Sequence, residues 1–100
     1  MTANIPSFQA GDRVLVKNED WSDFWANGAT GTVAKPPSAV VAIAGDWSGN
    51  VRMVKTVRGV EPYYWVVLDE ARLDGDGDGP YAEAELAAAW LQPFSSEGAV

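Results

Sequence analysis

Glycine and proline break this sequence at almost every point where a long helix would have to run. There are ten glycines and six prolines. Inside a helix a proline costs about 3 kcal/mol and a glycine about 1 kcal/mol. The chain is therefore expected to fold from short strands and turns, not as a helical bundle. At 100 residues it has the size of one domain. A chain of this length buries roughly 65% of its unfolded surface, enough for a core without covalent staples.

Strand signals fall between the breakers. Residues 13–17 (Arg-Val-Leu-Val-Lys) are short and β-branched, with Val14 and Val16 on one side of the pleat. Residues 30–34 read as a second strand, stopped by Pro36 and Pro37. Residues 39–44 are apolar and read as a strand or an ordered loop. Residues 45–50 carry turn chemistry. Residues 51–57 alternate as a strand, with Val51, Met53 and Val57 on one face, and Gly59 ends it. Residues 63–68 (Tyr-Tyr-Trp-Val-Val-Leu) are apolar on both faces and are expected at the centre of the sheet. Residues 69–79 form a long acidic, glycine-rich turn. Residues 82–91 are alanine-rich and helix-permissive, with Pro93 as the stop. Residues 1–7 and 95–100 are expected as flexible tails. There is no internal repeat. The whole reads as one all-β domain over residues 1–100, a small bent barrel of about five strands with a short C-terminal helix or helical turn.

Composition closes off most chemistry. The chain has no cysteine and no histidine. That excludes disulfide scaffolds, thiolate and imidazole metal sites, cysteine nucleophiles and Ser-His-Asp catalysis. Seven basic residues face fourteen acidic ones, for a net charge of −7. Direct contact with nucleic-acid phosphates is not expected of such a chain. Residues 1–10 have no basic region and no long apolar run, and no stretch approaches a bilayer span. The expected setting is cytoplasmic, with no membrane partner. Paired carboxylates could in principle catalyse hydrolysis, but a small barrel has little room for the deep pocket that tunes a carboxyl. An independent enzyme is not expected.

The opening Phe8-x-x-Gly11-Asp12-Arg13-Val14-x-Val16 is followed by Gly28-x-x-Gly31-Thr32-Val33, then Tyr64-x-Val66. Glu85-Leu86 and Trp90-Leu91-x-Pro93 close the chain. This succession resembles the SH3-like barrels of the electron-transport accessory group. Among them the closing motif is most similar to the C-terminal domain of the nitrile hydratase β-subunit. The resemblance implies an SH3-like barrel and an accessory, non-catalytic role within a larger complex.

The sharpest local motif is Asp74-Gly-Asp76-Gly-Asp78-Gly79 with Glu85 at the twelfth position. It fits D-x-D-x-D-G-x₅-E, the spacing of a calcium loop. The expected ligands are Asp74, Asp76, Asp78 and Glu85. The same residues equally suit an ordinary solvated turn, and an extended 82–85 would turn Glu85 away from the aspartates. Residues 69–85 hold seven acids against Arg72, which is −6 of the net −7. A cation would relieve that repulsion.

A second candidate site lies between the first two strands, where Trp21, Phe24 and Trp25 stand among Glu19, Asp20 and Asp23. Rings beside carboxylates suit a basic or proline-rich ligand, or an alkylated ammonium held by cation–π contact. Aromatics of such a loop also commonly plug a small barrel. Five tryptophans exceed what a barrel core needs, which points to an interface. Trp21, Trp25, Asp20, Asp23 and Tyr63 are the expected partner-binding residues, with Trp47 beside Tyr63; Tyr64, Trp65 and Trp90 are expected in the core. Arg52, Lys55 and Arg58 read mainly as a charged guard on an edge strand. The expected function is a protein–protein binding module or accessory subunit for a protein or peptide, most simply a basic one. A calcium module is the second expectation, and an acidic decoy for a nucleic-acid-binding protein the third.

Overall fold

The structure, a computed structural model, describes residues 7–43 and 46–94. The strands are β1 (Arg13–Val16), β2 (Thr30–Val33), β3 (Val51–Thr56), β4 (Gly59–Arg72), β5 (Tyr81–Ala87) and β6 (Leu91–Pro93). A short helix α1 (Ser38–Ile43) precedes β3, and a 3₁₀ turn (Ala88–Trp90) joins β5 to β6. All strands belong to one antiparallel sheet. One path runs β3–β4–β2–β1–β6, and β5 pairs with β4 off that path. The sheet curls on itself as a small half-barrel.

Strand β4 is the axis of the fold, as the two-sided apolar run 63–68 predicts. It is 14 residues long. One edge is shared in succession by β3 (Arg52 opposite Tyr63) and β2 (Thr32 opposite Val67). The other edge carries β5 (Tyr64 opposite Leu86, Val66 opposite Ala84). Trp65 marks the handover. Its N–H donates to the Asn50 carbonyl at 3.3 Å, and its carbonyl accepts from the Ala34 N–H at 3.0 Å.

Alternation along the strands decides the core. Val14, Val16, Val33, Val66 and Leu86 are fully enclosed, and Phe8, Tyr64, Leu68 and Leu91 close around them. Each such side chain contributes about 1.5–3 kcal/mol by leaving water. The Tyr64 hydroxyl accepts from the Phe8 N–H at 3.1 Å, which satisfies the one polar atom this ring carries inward. Gly31 lets β2 lie against β4. A Cβ there would come within 2.6 Å of the Val67 carbonyl oxygen and 2.8 Å of Val66 Cγ1.

Across the top of the sheet, Arg13 reaches Asp69 with both nitrogens, at 2.7 and 2.6 Å. The Thr30 hydroxyl donates to the same carboxylate at 2.5 Å. This clasp links β1, β2 and β4. The Arg13 hydrogen bonds, with the Thr30 hydroxyl, hold the Asp69 carboxyl down at about 2.

Three expectations are corrected. Residues 38–43 are helical, not extended, and α1 has no buried residue; position 44 lies outside the described residues. The turn expected at 69–79 begins later, because β4 continues to Arg72. The helix expected at 82–91 is strand β5, and only residues 88–90 are helical. Alanine favours helix only weakly, and tertiary pairing overrides it. Here Ala84 and Leu86 pack toward the core while Glu83 and Glu85 face outward, a period of two. The tails expected at 1–7 and 95–100 fall, apart from Ser7, outside the described residues. Among the described residues no helix is long and apolar enough to cross a membrane.

Candidate functional site

The segment 17–29 between β1 and β2 is built around two asparagines. The buried Asn18 accepts from the N–H groups of Asp20 and Trp21, both at 3.1 Å, through its side-chain oxygen. Asn27 accepts from the Asn18 N–H at 2.6 Å and donates to the carbonyls of Trp21 and Ser22, both at 3.1 Å. Side-chain amides thus take over the backbone pairing that a strand would have supplied. Phe24 and Ala26 are drawn into the core, and the turn that buries them leaves Trp21 outside. Trp21 is 56% exposed, while Trp25 is half-buried. The expectation that this loop shows an indole ring to water holds for Trp21.

The rings form one connected run. Trp21 lies 5.7 Å from Phe24, and Phe24 lies 4.8 Å from Trp90. Trp90 meets Tyr63 edge-on at 5.6 Å. A branch passes from Phe24 to Trp25 at 5.9 Å, and from Trp25 to Tyr81 at 5.9 Å. Offset and edge-on pairs at these separations are favourable beyond their buried area. Three expected binding residues, Trp21, Trp25 and Tyr63, are thus linked ring to ring through the buried Phe24. Sequence reasoning missed Trp90 and Tyr81 as members. Trp90, expected in the core, packs against it only in part: the 3₁₀ turn sets it half-buried between Phe24 and Tyr63. Trp65 is likewise half-buried on the outer face of β4, edge-on to Trp47 at 6.1 Å, so these two rings form a separate pair.

Carboxylates border the aromatic run. Asp20 and Asp23 are both exposed. Asp20 lies 3.3 Å from Arg58 Nη1, and Arg58 Nη2 lies 3.6 Å from the buried Glu61, which also accepts from the Thr56 hydroxyl. This chain of contacts ties the loop to the β3–β4 hairpin. Burial, aided by Glu61 and Glu85, pushes the Tyr63 hydroxyl above its usual range. The proposed guard residues do more than protect an edge. Arg52 pairs with Glu85 at 2.7 Å and Asp46 at 3.4 Å, Arg58 sits in the hairpin turn, and Lys55 is exposed on β3.

Beside Trp25 opens a cleft of about 730 Å³, bounded by Thr30, Asp69, Glu70, Arg72 and Leu73. Arg72 donates to the Asn27 carbonyl at 2.9 Å, and so braces the loop from this side. Asp69, at the edge of this cleft, is paired with Arg13, which favours its charged form.

The acidic turn gathers three of its four expected ligands. Carboxylate oxygens of Asp74, Asp76 and Asp78 lie within 4.8 Å of one another. One Asp74 oxygen accepts from the N–H groups of Asp76 and Asp78, both at 2.9 Å. Glu85 is not with them. It lies on β5 opposite Trp65 and is held by Arg52. The twelfth position of the calcium spacing is thus drawn away by strand formation. Comparison with protein-family models, curated proteins and solved structures finds no match for this chain.

Proposed function

We propose that this chain is a non-catalytic protein-binding module or accessory subunit that takes a basic protein or peptide segment on Trp21, Trp25 and Tyr63. Asp20 and Asp23 select for positive charge. The observation that carries this reading is the continuous aromatic run from Trp21 through Phe24 and Trp90 to Tyr63, exposed at its Trp21 end and bordered by carboxylates. Rings supply anchor area at low entropic cost, and the acids steer encounter and exclude acidic competitors. The SH3-like reading is supported by the 3₁₀ turn between the last two strands and by the pairing of β1 with both β2 and β6. A cytoplasmic setting belongs to the same reading and rests on the cysteine-free composition. The test is a pull-down from source lysate with the wild type and a Trp21→Ala/Trp25→Ala variant of equal melting behaviour. Partners captured by the first and lost by the second support the reading; identical captures refute it.

A second reading is favoured by the convergence of Asp74, Asp76 and Asp78: a calcium-responsive turn without Glu85. Three clustered carboxylates repel one another, and a divalent ion offsets that repulsion. Millimolar calcium should then raise the melting temperature of the wild type and leave Asp76→Asn/Asp78→Asn unmoved. Absence of heat and of any melting shift in the wild type dismisses it.

A further inference from the structure

Strand β5 has one edge on β4 and a second edge that, among the described residues, no other strand takes. Hydrogen-bond alternation identifies which groups lie along it. The N–H and carbonyl of Trp65 point to Asn50 and Ala34, on the side of β4 away from β5. Its partner across the strand, Glu85, therefore exchanges no backbone bond with it, and the Glu85 N–H and carbonyl point outward. Two residues earlier, Glu83 opposite Val67 has the same orientation. Among the described residues no backbone hydrogen bond meets these groups from outside.

The charges on this edge are all acidic, so it is guarded against a second copy but not against a basic strand. It holds no lysine, no arginine and no internal proline, whereas β3 carries Arg52 and Lys55. Its side chains are small at Ala82 and Ala84, so a neighbouring backbone can approach. Glu83 and Tyr81 are exposed along it, and the turn bearing Asp74, Asp76 and Asp78 immediately precedes it. It is the most acidic part of a chain of net charge −7, so a second copy would bring like charges together. A basic segment is the complement. The edge also starts at Tyr81, where the Trp25 branch of the aromatic run ends.

We infer that β5 docks a lysine- or arginine-bearing extended segment of a partner by strand addition, through the outward N–H and carbonyl groups of Glu83 and Glu85. This rests on the binding-module reading and specifies its docking mode. Main-chain bonds supply affinity, and alternate basic side chains meet the carboxylates of Glu83 and the acidic turn.

The test separates backbone from charge. Glu83→Pro removes the outward N–H and spares the β4 backbone ladder, but it also removes the Glu83 oxygen that accepts from the Trp65 indole at 2.7 Å. Glu83→Gln removes the charge and keeps an oxygen for that indole, and Glu83→Ala serves as the control for its loss. The probe is a ten-residue peptide of alternating threonine and lysine, titrated into labelled protein and followed by amide exchange and chemical shift. The wild type should bind, with slowed exchange at the amides of Glu83 and Glu85. Glu83→Pro should lose about tenfold in affinity relative to Glu83→Gln, the scale of one or two lost hydrogen bonds. Equal affinity of the two variants, no protection at these amides, or no binding to the wild type overturns the inference. Loss on Trp21→Ala with no loss on Glu83→Pro overturns strand addition and leaves the aromatic site standing. The reverse pattern keeps strand addition and removes the aromatic site.

Discussion

The ring centroids of Phe24 and Trp90 lie 4.8 Å apart, and this contact joins the loop after β1 to the 3₁₀ turn before β6. It brings together parts of the chain that sequence separates widely. Phe24 is only 8% exposed, so its ring is both core filling and the support on which Trp21 rests. Phe24→Ala should destabilise the domain by about 3–5 kcal/mol, the usual cost of deleting a buried phenylalanine. Chemical denaturation measures it, and a loss under about 1 kcal/mol would show that the loop is not anchored there.

Trp21→Ala should separate stability from binding. The ring is more than half exposed, so denaturation should change by no more than about 0.5 kcal/mol. Partner capture should nonetheless fall sharply, because an exposed anchor ring is lost. A large stability loss with unchanged capture would assign Trp21 to packing.

Gly31→Ala should destabilise by about 1–3 kcal/mol through overpacking. The added methyl meets backbone and a valine methyl inside 3 Å, with little room to yield. Equilibrium unfolding reads the effect, and a neutral or stabilised variant would mean that β2 and β4 do not approach as described.

Acid should release the Arg13–Asp69 clasp. The Asp69 carboxyl is lowered from its ordinary 3.8 to about 2 in the folded state. A depressed carboxyl contributes stability above its unfolded value and loses it as pH falls through the folded one. The contribution should be complete above about pH 4 and vanish near pH 2, and it is modest because Asp69 is 40% exposed. Asp69→Asn should therefore melt below the wild type at pH 7 and converge with it near pH 2. A gap independent of pH would contradict the clasp.

What could be read from sequence followed the local signals. Val14, Val16 and the run 63–68 announce β1 and β4 through alternation and apolar content, and the surplus of tryptophan announces an exposed ring. Strand β5 was masked by alanine, whose helical preference outweighs in a local reading the Glu83–Ala84–Glu85–Leu86 alternation that was present all along. The absence of Glu85 from the acidic site follows from the same strand, which carries it to Arg52, the outcome an extended 82–85 implies. Trp90 could not be placed without the 3₁₀ turn, because its neighbours Phe24 and Tyr63 are distant in sequence and only the curl of the sheet makes them adjacent.

The most direct measurement is a nitrogen–proton correlation titration of the labelled protein with a basic proline-rich peptide, run beside an Asp20→Asn/Asp23→Asn/Trp21→Ala variant. Shifts are expected at the indole and backbone signals of Trp21, Trp25 and Trp90 and at the backbone amide of Tyr63, abolished in the variant, with any others limited to the β5 edge at Glu83 and Glu85. Shifts at the aromatic residues that persist unchanged in the variant, or shifts that appear on neither the aromatic run nor the β5 edge, would contradict binding at this site.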